Sequence, residues 1–122
     1  MNKTILIVDD SESLRQVVSI ALVGAGYNVI EAKDGLDGLA KLDGTKVHLI
    51  ISDVNMPNMN GIDFVEAVKE LAKYKFTPII MLTTENQPYL MEESRKAGAK
   101  AWLAKPFRPD QMLQAVSKIL ES

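Results

Sequence analysis

The sequence predicts an α/β fold in which five parallel strands alternate with helices that cover both faces of one sheet. Short apolar runs alternate with longer segments of helical periodicity, and this alternation occurs five times. The run Leu49–Ile51 is apolar on both faces, as expected of a strand that is buried on both sides. Successive strand–helix–strand units join parallel strands through right-handed crossovers.

The strands are predicted from apolar and β-branched runs bounded by turn residues. They are expected at Ile5–Val8, Asn28–Glu31, His48–Ser52, Pro78–Leu82 and Ala101–Leu103. We expect a structural role for His48, because it begins a strand far from the residues that carry chemistry.

The helices are predicted from apolar residues three and four positions apart. The first helix ends at Gly26, a second and shorter one covers 35–42, and a fourth opens at Asn86–Pro88 and ends at Gly98. The fourth helix has little apolar surface beyond Leu90, Met91 and Ala97. The expected buried stripes of the first, third and fifth helices are Leu14, Val17, Val18, Ala21, Leu22 and Ala25; Ile62, Val65, Val68 and Ala72; and Met112, Ala115, Val116, Ile119 and Leu120.

Composition limits the possible functions. The 122 residues, 47% hydrophobic and 25% charged, predict a single domain over 1–122. The absence of cysteine excludes disulfide frameworks and thiolate metal sites, and the single histidine excludes multi-histidine zinc sites. A net charge of −2 offers no basic footprint for nucleic acid, and no apolar run is long enough to cross a membrane. We expect a cytoplasmic protein.

Charge is distributed unevenly along the chain. Residues 1–94 carry 8 basic and 14 acidic side chains, whereas residues 95–122 carry 6 basic and 2 acidic ones. The last part of the chain is either an ordinary solvated face or a docking surface for an acidic partner.

Residues suited to chemistry follow the predicted strands. In open α/β sheets, ligands bind beyond the carboxyl ends of the strands. Clustered carboxylates repel one another and favour a cation; without histidine or cysteine nearby, that cation is a hard one such as Mg²⁺. An ammonium and a hydroxyl at the same edge suit a phosphoryl group, and Asp53 is the candidate nucleophile for an acyl phosphate. The residues expected to converge are Asp9, Asp10, Asp53, Thr83, Thr84 and Lys105.

Four segments resemble the receiver domain of bacterial two-component response regulators. They are ILIVDD at 5–10, DVNMPNMNG at 53–61, MLTTE at 81–85 and KPF at 105–107. The second segment in particular is similar to single-domain chemotaxis regulators of the CheY type. The resemblance implies a flavodoxin-like (βα)5 fold with strand order 2-1-3-4-5, the order known for flavodoxin and CheY.

The resemblance also implies a phosphorylation site. Asp53 would accept a phosphoryl group from a phosphohistidine of a sensor histidine kinase. Mg²⁺ would be held by Asp9 or Asp10, by Asp53 and by the backbone carbonyl of Asn55, with the second acid of the pair the usual direct ligand. The domain would acquire and lose its own phosphoryl group, without acting as a multiple-turnover enzyme.

Further residues correspond to the family's switch. Thr83 would move toward the phosphoryl group, and Lys105 would pair with it. The face formed by helix 4, strand 5 and helix 5 would then bind a downstream target protein, with the domain a monomer.

Trp102 stands where relatives most often have tyrosine or phenylalanine as a switch aromatic. Thr84 stands where small residues are frequent, Glu85 and Asn55 would tune phosphoryl loss, and the bond before Pro106 is typically cis in relatives.

Two other functions remain alternatives. One is a Mg²⁺-dependent phosphatase with an aspartyl nucleophile, although such enzymes typically place a D-x-D motif after the first strand, where this chain has Asp9-Asp10. The other is a receiver-like interaction module that is never phosphorylated.

Overall fold

A computed structural model, which describes residues 2–84 and 88–121, forms a five-stranded parallel sheet in the order β2-β1-β3-β4-β5. Strands and helices alternate along the chain, so the predicted fold class and strand order are confirmed. In the described part of the chain, no helix is both long and apolar enough to cross a membrane. The elements are β1 (Thr4–Val8), α1 (Glu12–Gly24), β2 (Asn28–Ala32), α2 (Gly35–Lys41), β3 (Leu49–Asp53), α3 (Gly61–Lys69), β4 (Ile79–Thr84), α4 (Pro88–Ala97), β5 (Ala101–Lys105) and α5 (Pro109–Leu120).

The sheet separates two apolar cores. Successive strand residues point to opposite faces, so Leu6 and Val8 enter one core whereas Ile5 and Ile7 enter the other. The first core is completed by α2, α3 and α4, and the second by α1 and α5. All five residues of β3 are buried, as expected for a strand covered on both faces.

The buried face of α1 is narrower than the apolar stripe predicted from the sequence. Val18 and Leu22 are buried, but Val17 is 51% exposed, and Ala25 lies exposed beyond the helix end. Each helical residue is rotated about 100° from its neighbour. With Val18 at the centre of the buried face, Val17 therefore turns outward, and including it in the stripe was wrong.

Helix α4 contributes little apolar surface to the core, as the sequence predicts. Met91 is 41% exposed, whereas Ser94 is fully buried and donates its Oγ hydrogen bond to the carbonyl of Leu90 at 2.7 Å. Leu90 and Ala97 pack against the first core. A buried serine satisfied within its own helix contributes little apolar area, so α4 contacts the sheet through a thin apolar strip.

Two hydrogen bonds hold the residues that flank the ends of β3. At its amino end, the Thr4 N–H donates to His48 Nδ1 at 3.0 Å, a structural role like the one expected. At its carboxyl end, the Gly61 N–H donates to the Val54 carbonyl at 2.7 Å. A β-carbon on Gly61 would overlap the Asp53 carbonyl oxygen and lie 2.8 Å from the Val54 Cα. Only glycine allows the start of α3 to approach β3 so closely.

Replacing Gly61 with alanine should therefore destabilise the fold. The obstructing atoms belong to the backbone, so overpacking should lower the free energy of unfolding by about 1–3 kcal/mol or more, measured by urea denaturation. Gly24→Ala is the matched control, because nothing lies within 4 Å of its added β-carbon. At this helical position, alanine should raise stability by about 0.5–1 kcal/mol. Equal effects of the two changes would contradict the prediction.

Candidate functional site

Three carboxylates meet at the carboxyl edge of the sheet. Asp9 and Asp10 follow β1, Asp53 ends β3, and one oxygen from each lies within 4.8 Å of the others. β1 and β3 are neighbours in the sheet, so residues far apart in sequence are brought together. Asp9 is fully buried, Asp53 is 7% exposed, and Asp10 is exposed. The predicted convergence of the acids is present in the structure.

Lys105 joins two of these acids. It is the last residue of β5, and its Nζ lies 3.2 Å from Asp9 Oδ2 and 3.2 Å from Asp53 Oδ2. Although burial lowers the pKa of Lys105, the charges of Asp53 and Asp9 outweigh that effect, and the pKa is raised. The ammonium is therefore firmly protonated and compensates part of the negative charge of the cluster.

The ionised form of Asp53 is disfavoured even with Lys105 as its partner. Burial and the nearby Asp9 carboxylate raise its pKa, and Lys105 only partly opposes them. Its ionised form thus lacks compensation in the protein alone. A cation bound among the three acids would supply what is missing.

The donor set fits a hard divalent cation. All its side-chain ligands are carboxylate oxygens, which suit Mg²⁺. Asp9 already accepts from the Ser11 N–H at 2.8 Å through Oδ1 and from Lys105 through Oδ2. The carboxylate of Asp10 accepts no hydrogen bond from any residue that the structure describes. Asp10 and Asp53 are therefore the acids best placed to give an oxygen to a cation.

Arg15 fixes the turn that carries the acid pair. Its Nη1 donates to the Asp9 carbonyl at 2.7 Å, and its Nε lies 3.1 Å from Glu31 Oε1 on β2. Ser11 caps α1 by accepting from the Leu14 N–H. The Asp9–Asp10 turn is thus held in place by residues at the start of α1.

The loop after β3 is tied to the start of α2. It carries Asn55, which is exposed, and Asn58, whose φ is 69°. Asn58 Nδ2 donates to Asp34 Oδ2 at 2.8 Å, while Asp34 Oδ1 caps α2 by accepting from the Asp37 N–H. The hydrogen bonds from Asp37 and Asn58 lower the pKa of Asp34. The hydrogen bond between Gly61 and Val54 closes the ends of the loop, and the contact between Asn58 and Asp34 holds its middle.

The threonines at the end of β4 differ in exposure. Thr83 is buried, and its hydroxyl donates to the Thr84 carbonyl at 3.1 Å rather than to a member of the acid cluster. Thr84 is exposed and lies opposite Lys105 in the strand register. Thr83 is thus at the predicted edge, but its hydroxyl must rotate before it can reach a group on Asp53.

The remaining sequence-predicted residues lie beside the site. Trp102 pairs with Met81 in the sheet and packs against the first core. Its Nε1 is buried and has no hydrogen-bond partner among residues 2–84 and 88–121. The Lys105–Pro106 bond is cis, in agreement with the prediction. Glu85 lies outside the described residues.

Comparison with known proteins identifies the family. The family model of the response regulator receiver domain matches residues 5–117. The chain belongs to this family. The receiver domain is 38% identical over 120 residues to chemotaxis protein CheY1 of Helicobacter pylori, with 95% of each chain covered. It is 36% identical over 121 residues to chemotaxis protein CheY of Thermotoga maritima, with 98% of each covered.

A solved structure agrees with this assignment. The structure of chemotaxis protein CheY4 of Vibrio cholerae has a TM-score of 0.94 and 48% identity, and the alignment covers 98% of this chain and 100% of that one. The protein is thus a receiver domain of the CheY type.

Two supporting residues of this receiver domain were missed at the sequence level. Asp34 directly precedes α2, and an aspartate at this position is an N-cap signal that can be read from the sequence. Arg15 gives no comparable signal, since its partners Asp9 and Glu31 belong to two different strand ends. Only the fold brings those strand ends beside α1.

The contact between Asn58 and Asp34 can be tested with two substitutions. Asn58→Gly removes the hydrogen bond but tolerates the positive φ, whereas Asn58→Ala removes the bond and also places a β-carbon at φ 69°. Losing the donor to Asp34 should lower the free energy of unfolding in both variants. The alanine variant should lose about 1 kcal/mol more than the glycine variant, because of its left-handed backbone. Equal stabilities in urea denaturation would contradict this backbone argument.

Proposed function

We propose that this receiver domain is a phosphorylation-dependent signalling switch whose phosphoryl acceptor is Asp53. The observation that supports it best is the placement of one nearly buried carboxylate between a lysine at 3.2 Å and two further acids. Such a site combines a nucleophile, a fixed positive charge and a cation-binding cluster. These groups serve phosphoryl transfer through positioning and charge neutralisation.

In the proposed reaction, an oxygen of Asp53 attacks the phosphorus of a phosphohistidine on a sensor histidine kinase. The P–O bond to Asp53 forms, the P–N bond breaks, and the released imidazole takes a proton from solvent. Bound Mg²⁺, held by Asp10, Asp53, Asp9 and the Asn55 carbonyl, would neutralise developing charge on the phosphoryl oxygens. Attack of water on the acyl phosphate later regenerates the Asp53 carboxylate and inorganic phosphate.

The phosphoryl group then becomes a new partner for residues at the edge. Lys105 would leave the Asp9 carboxylate and contact a phosphoryl oxygen, and the Thr83 hydroxyl would leave the Thr84 carbonyl to donate to another. Trp102, packed against the first core, would respond to the space that Thr83 vacates, while Thr84, Glu85 and Asn55 would tune phosphoryl loss. The equilibrium shifts by the difference in these contacts between the two states.

The output surface is the face formed by α4, β5 and α5. The thin apolar contact of α4 suits an element that changes its position at small cost. Relatives named for chemotaxis favour a chemotaxis-type pathway, a sensor kinase as phosphodonor and a downstream target protein on this face. We expect a monomer that acts in the cytoplasm and that is not a multiple-turnover enzyme.

The phosphatase alternative is less well supported. It requires the nucleophile in a D-x-D motif after the first strand, whereas Asp9 is fully buried and both of its oxygens already accept hydrogen bonds. Multiple turnover of p-nitrophenyl phosphate would favour this alternative over the switch. The pure interaction module would be favoured if Asp53 never acquired a phosphoryl group.

The phosphoacceptor is tested by intact-mass spectrometry after incubation with acetyl phosphate, with and without Mg²⁺. We expect one phosphoryl adduct that requires Mg²⁺ and is absent in Asp53→Asn. The variant should fold at least as stably as the wild type, because the strained negative charge is removed. No adduct on the wild type, with a CheY protein labelled in parallel, would reject the switch.

The metal ligands are tested by measuring Mg²⁺ binding in variants of the acid cluster and its neighbouring loop. Asp10→Asn should weaken Mg²⁺ binding, measured by calorimetry, by about tenfold or more, because affinity depends on the charge of the ligands. Asn55→Ala is the matched control, since it retains the backbone carbonyl proposed as a ligand. A loss of affinity as large in Asn55→Ala as in Asp10→Asn would argue against backbone ligation.

Lys105→Ala should separate phosphorylation from its output. The variant should still acquire a phosphoryl group, but the indole N–H resonance of Trp102, the single tryptophan, should shift less on phosphorylation than in the wild type. Lys96→Ala, an exposed lysine on α4, is the control and should retain the full shift. A full shift in phosphorylated Lys105→Ala would show that Lys105 does not couple the site to the output face.

A further inference from the structure

The sheet edge opposite Asp53 carries an unusual concentration of lysines. Three loops enter the amino ends of β3, β4 and β5, over residues 42–48, 70–78 and 98–100. They present side chains that are all exposed, which we call the basic edge. These residues are Lys46, Lys73, Lys75, Phe76 and Lys100.

Phe76 stands between two clefts of this edge. It is 87% exposed, the largest value among the exposed large hydrophobic residues of the described chain. A cleft of about 330 Å³ on one side is walled by Phe76 with Lys46 and Lys73. A cleft of about 590 Å³ on the other side is walled by Phe76 with Lys75 and Lys100. The Lys75 Nζ lies 5.4 Å from the centre of the aromatic ring.

Lysines outnumber acids at the basic edge, where the same loops carry two exposed acids, Asp43 and Glu70. Neither cleft is lined by an aspartate or glutamate, and within 2–84 and 88–121 its four lysines form no ion pair. Elsewhere, exposed cations do find acids, as in the pairs Arg95–Glu92 and Arg108–Asp110. At the border of the smaller cleft, burial together with the charges of Lys46 and Lys3 lowers the pKa of His48. Burial is the largest of these causes, and the two lysine charges add to it with the sign of a positive local potential.

The basic edge is separate from the phosphorylation site. Strand β3 runs between them with five residues, about 17 Å at 3.3 Å per residue. Neither cleft includes a residue of the carboxylate cluster. A partner on this edge would leave the phosphoryl site accessible.

We propose that the basic edge binds an acidic peptide segment of a protein partner, with an aromatic or aliphatic side chain of that segment packed against Phe76. Charge complementarity selects the acidic class, because four lysines without counter-ions attract and orient carboxylates. The concave clefts on both sides of the ring accept side chains of an extended segment, which a flat bilayer does not offer. A protein with a net charge of −2 and a single exposed phenylalanine or tyrosine among the described residues of this edge lacks the stacking platform and the basic balance of a nucleic-acid binder.

Binding is tested with the full chain and a fluorescein-labelled Glu-Glu-Phe-Glu-Glu peptide, followed by anisotropy and by ¹H–¹⁵N chemical-shift mapping. We expect saturable binding that weakens with salt, with shifts confined to 42–48, 70–78 and 98–100. The affinity should be the same in Asp53→Asn, because the two edges are independent.

Two substitutions locate the contact. Lys73→Glu with Lys75→Glu should weaken binding by about tenfold or more, since the rim charges then repel the peptide. Phe76→Ser should also weaken it, and because the side chain is 87% exposed the variant should fold normally. The matched control is Lys33→Glu with Arg108→Glu, an equal change of charge at exposed positions that follow β2 and β5 at the opposite edge of the sheet, which should leave binding unchanged.

Several results would overturn the proposal. Loss of binding in the Lys33/Arg108 control, or shifts centred on α4 and α5, would place the peptide on another face. Absence of binding would reject the site, as would stronger binding to phosphatidylserine vesicles or to oligothymidine than to the peptide.

Discussion

The functional edge depends on one electrostatic constraint, the enclosure of more negative than positive charge at the carboxyl ends of β1, β3 and β5. Two buried or nearly buried carboxylates, Asp9 and Asp53, share the single ammonium of Lys105, and Asp10 adds a third acid at the surface. Buried charge is costly unless it is paired. The negative charge of the cluster is therefore only partly neutralised by the protein itself. A bound cation would neutralise the remainder, and a phosphoryl group on Asp53 would change which groups pair with Lys105.

Much of the surrounding structure serves to hold this arrangement. Arg15 and Ser11 fix the turn after β1, whereas Gly61 and the Asn58–Asp34 contact fix the loop after β3. Each of these contacts joins the acid-bearing turns to the start of a helix. The site is thus rigid where it must hold charges close together. In the proposed function, the output face is the one formed by α4, β5 and α5, where α4 has only a thin apolar contact with the sheet.

The two edges of the sheet have opposite electrostatic character. The carboxyl edge collects acids around Asp53, and the amino edge exposes lysines around Phe76. A parallel sheet sends every connecting loop of one type to the same edge, so each edge accumulates its own chemistry. In this receiver domain, a switch at one edge and a docking site at the other would combine without competing for space.

The sequence alone determined the alternation of strands and helices, the buried β3 and the acids, threonines and lysine at the strand ends, because these follow from local periodicity and from the direction of parallel strands. Its resemblance to receiver domains added the strand order. Only the tertiary structure decided which face of α1 is buried, that Ser94 and not Met91 points to the core, and that Thr83 bonds to Thr84 instead of the acids. It also decided the contacts of Arg15 and Asn58 and the grouping of the lysines around Phe76. Such features join residues from different elements, and their distances are fixed by packing, which no local pattern encodes.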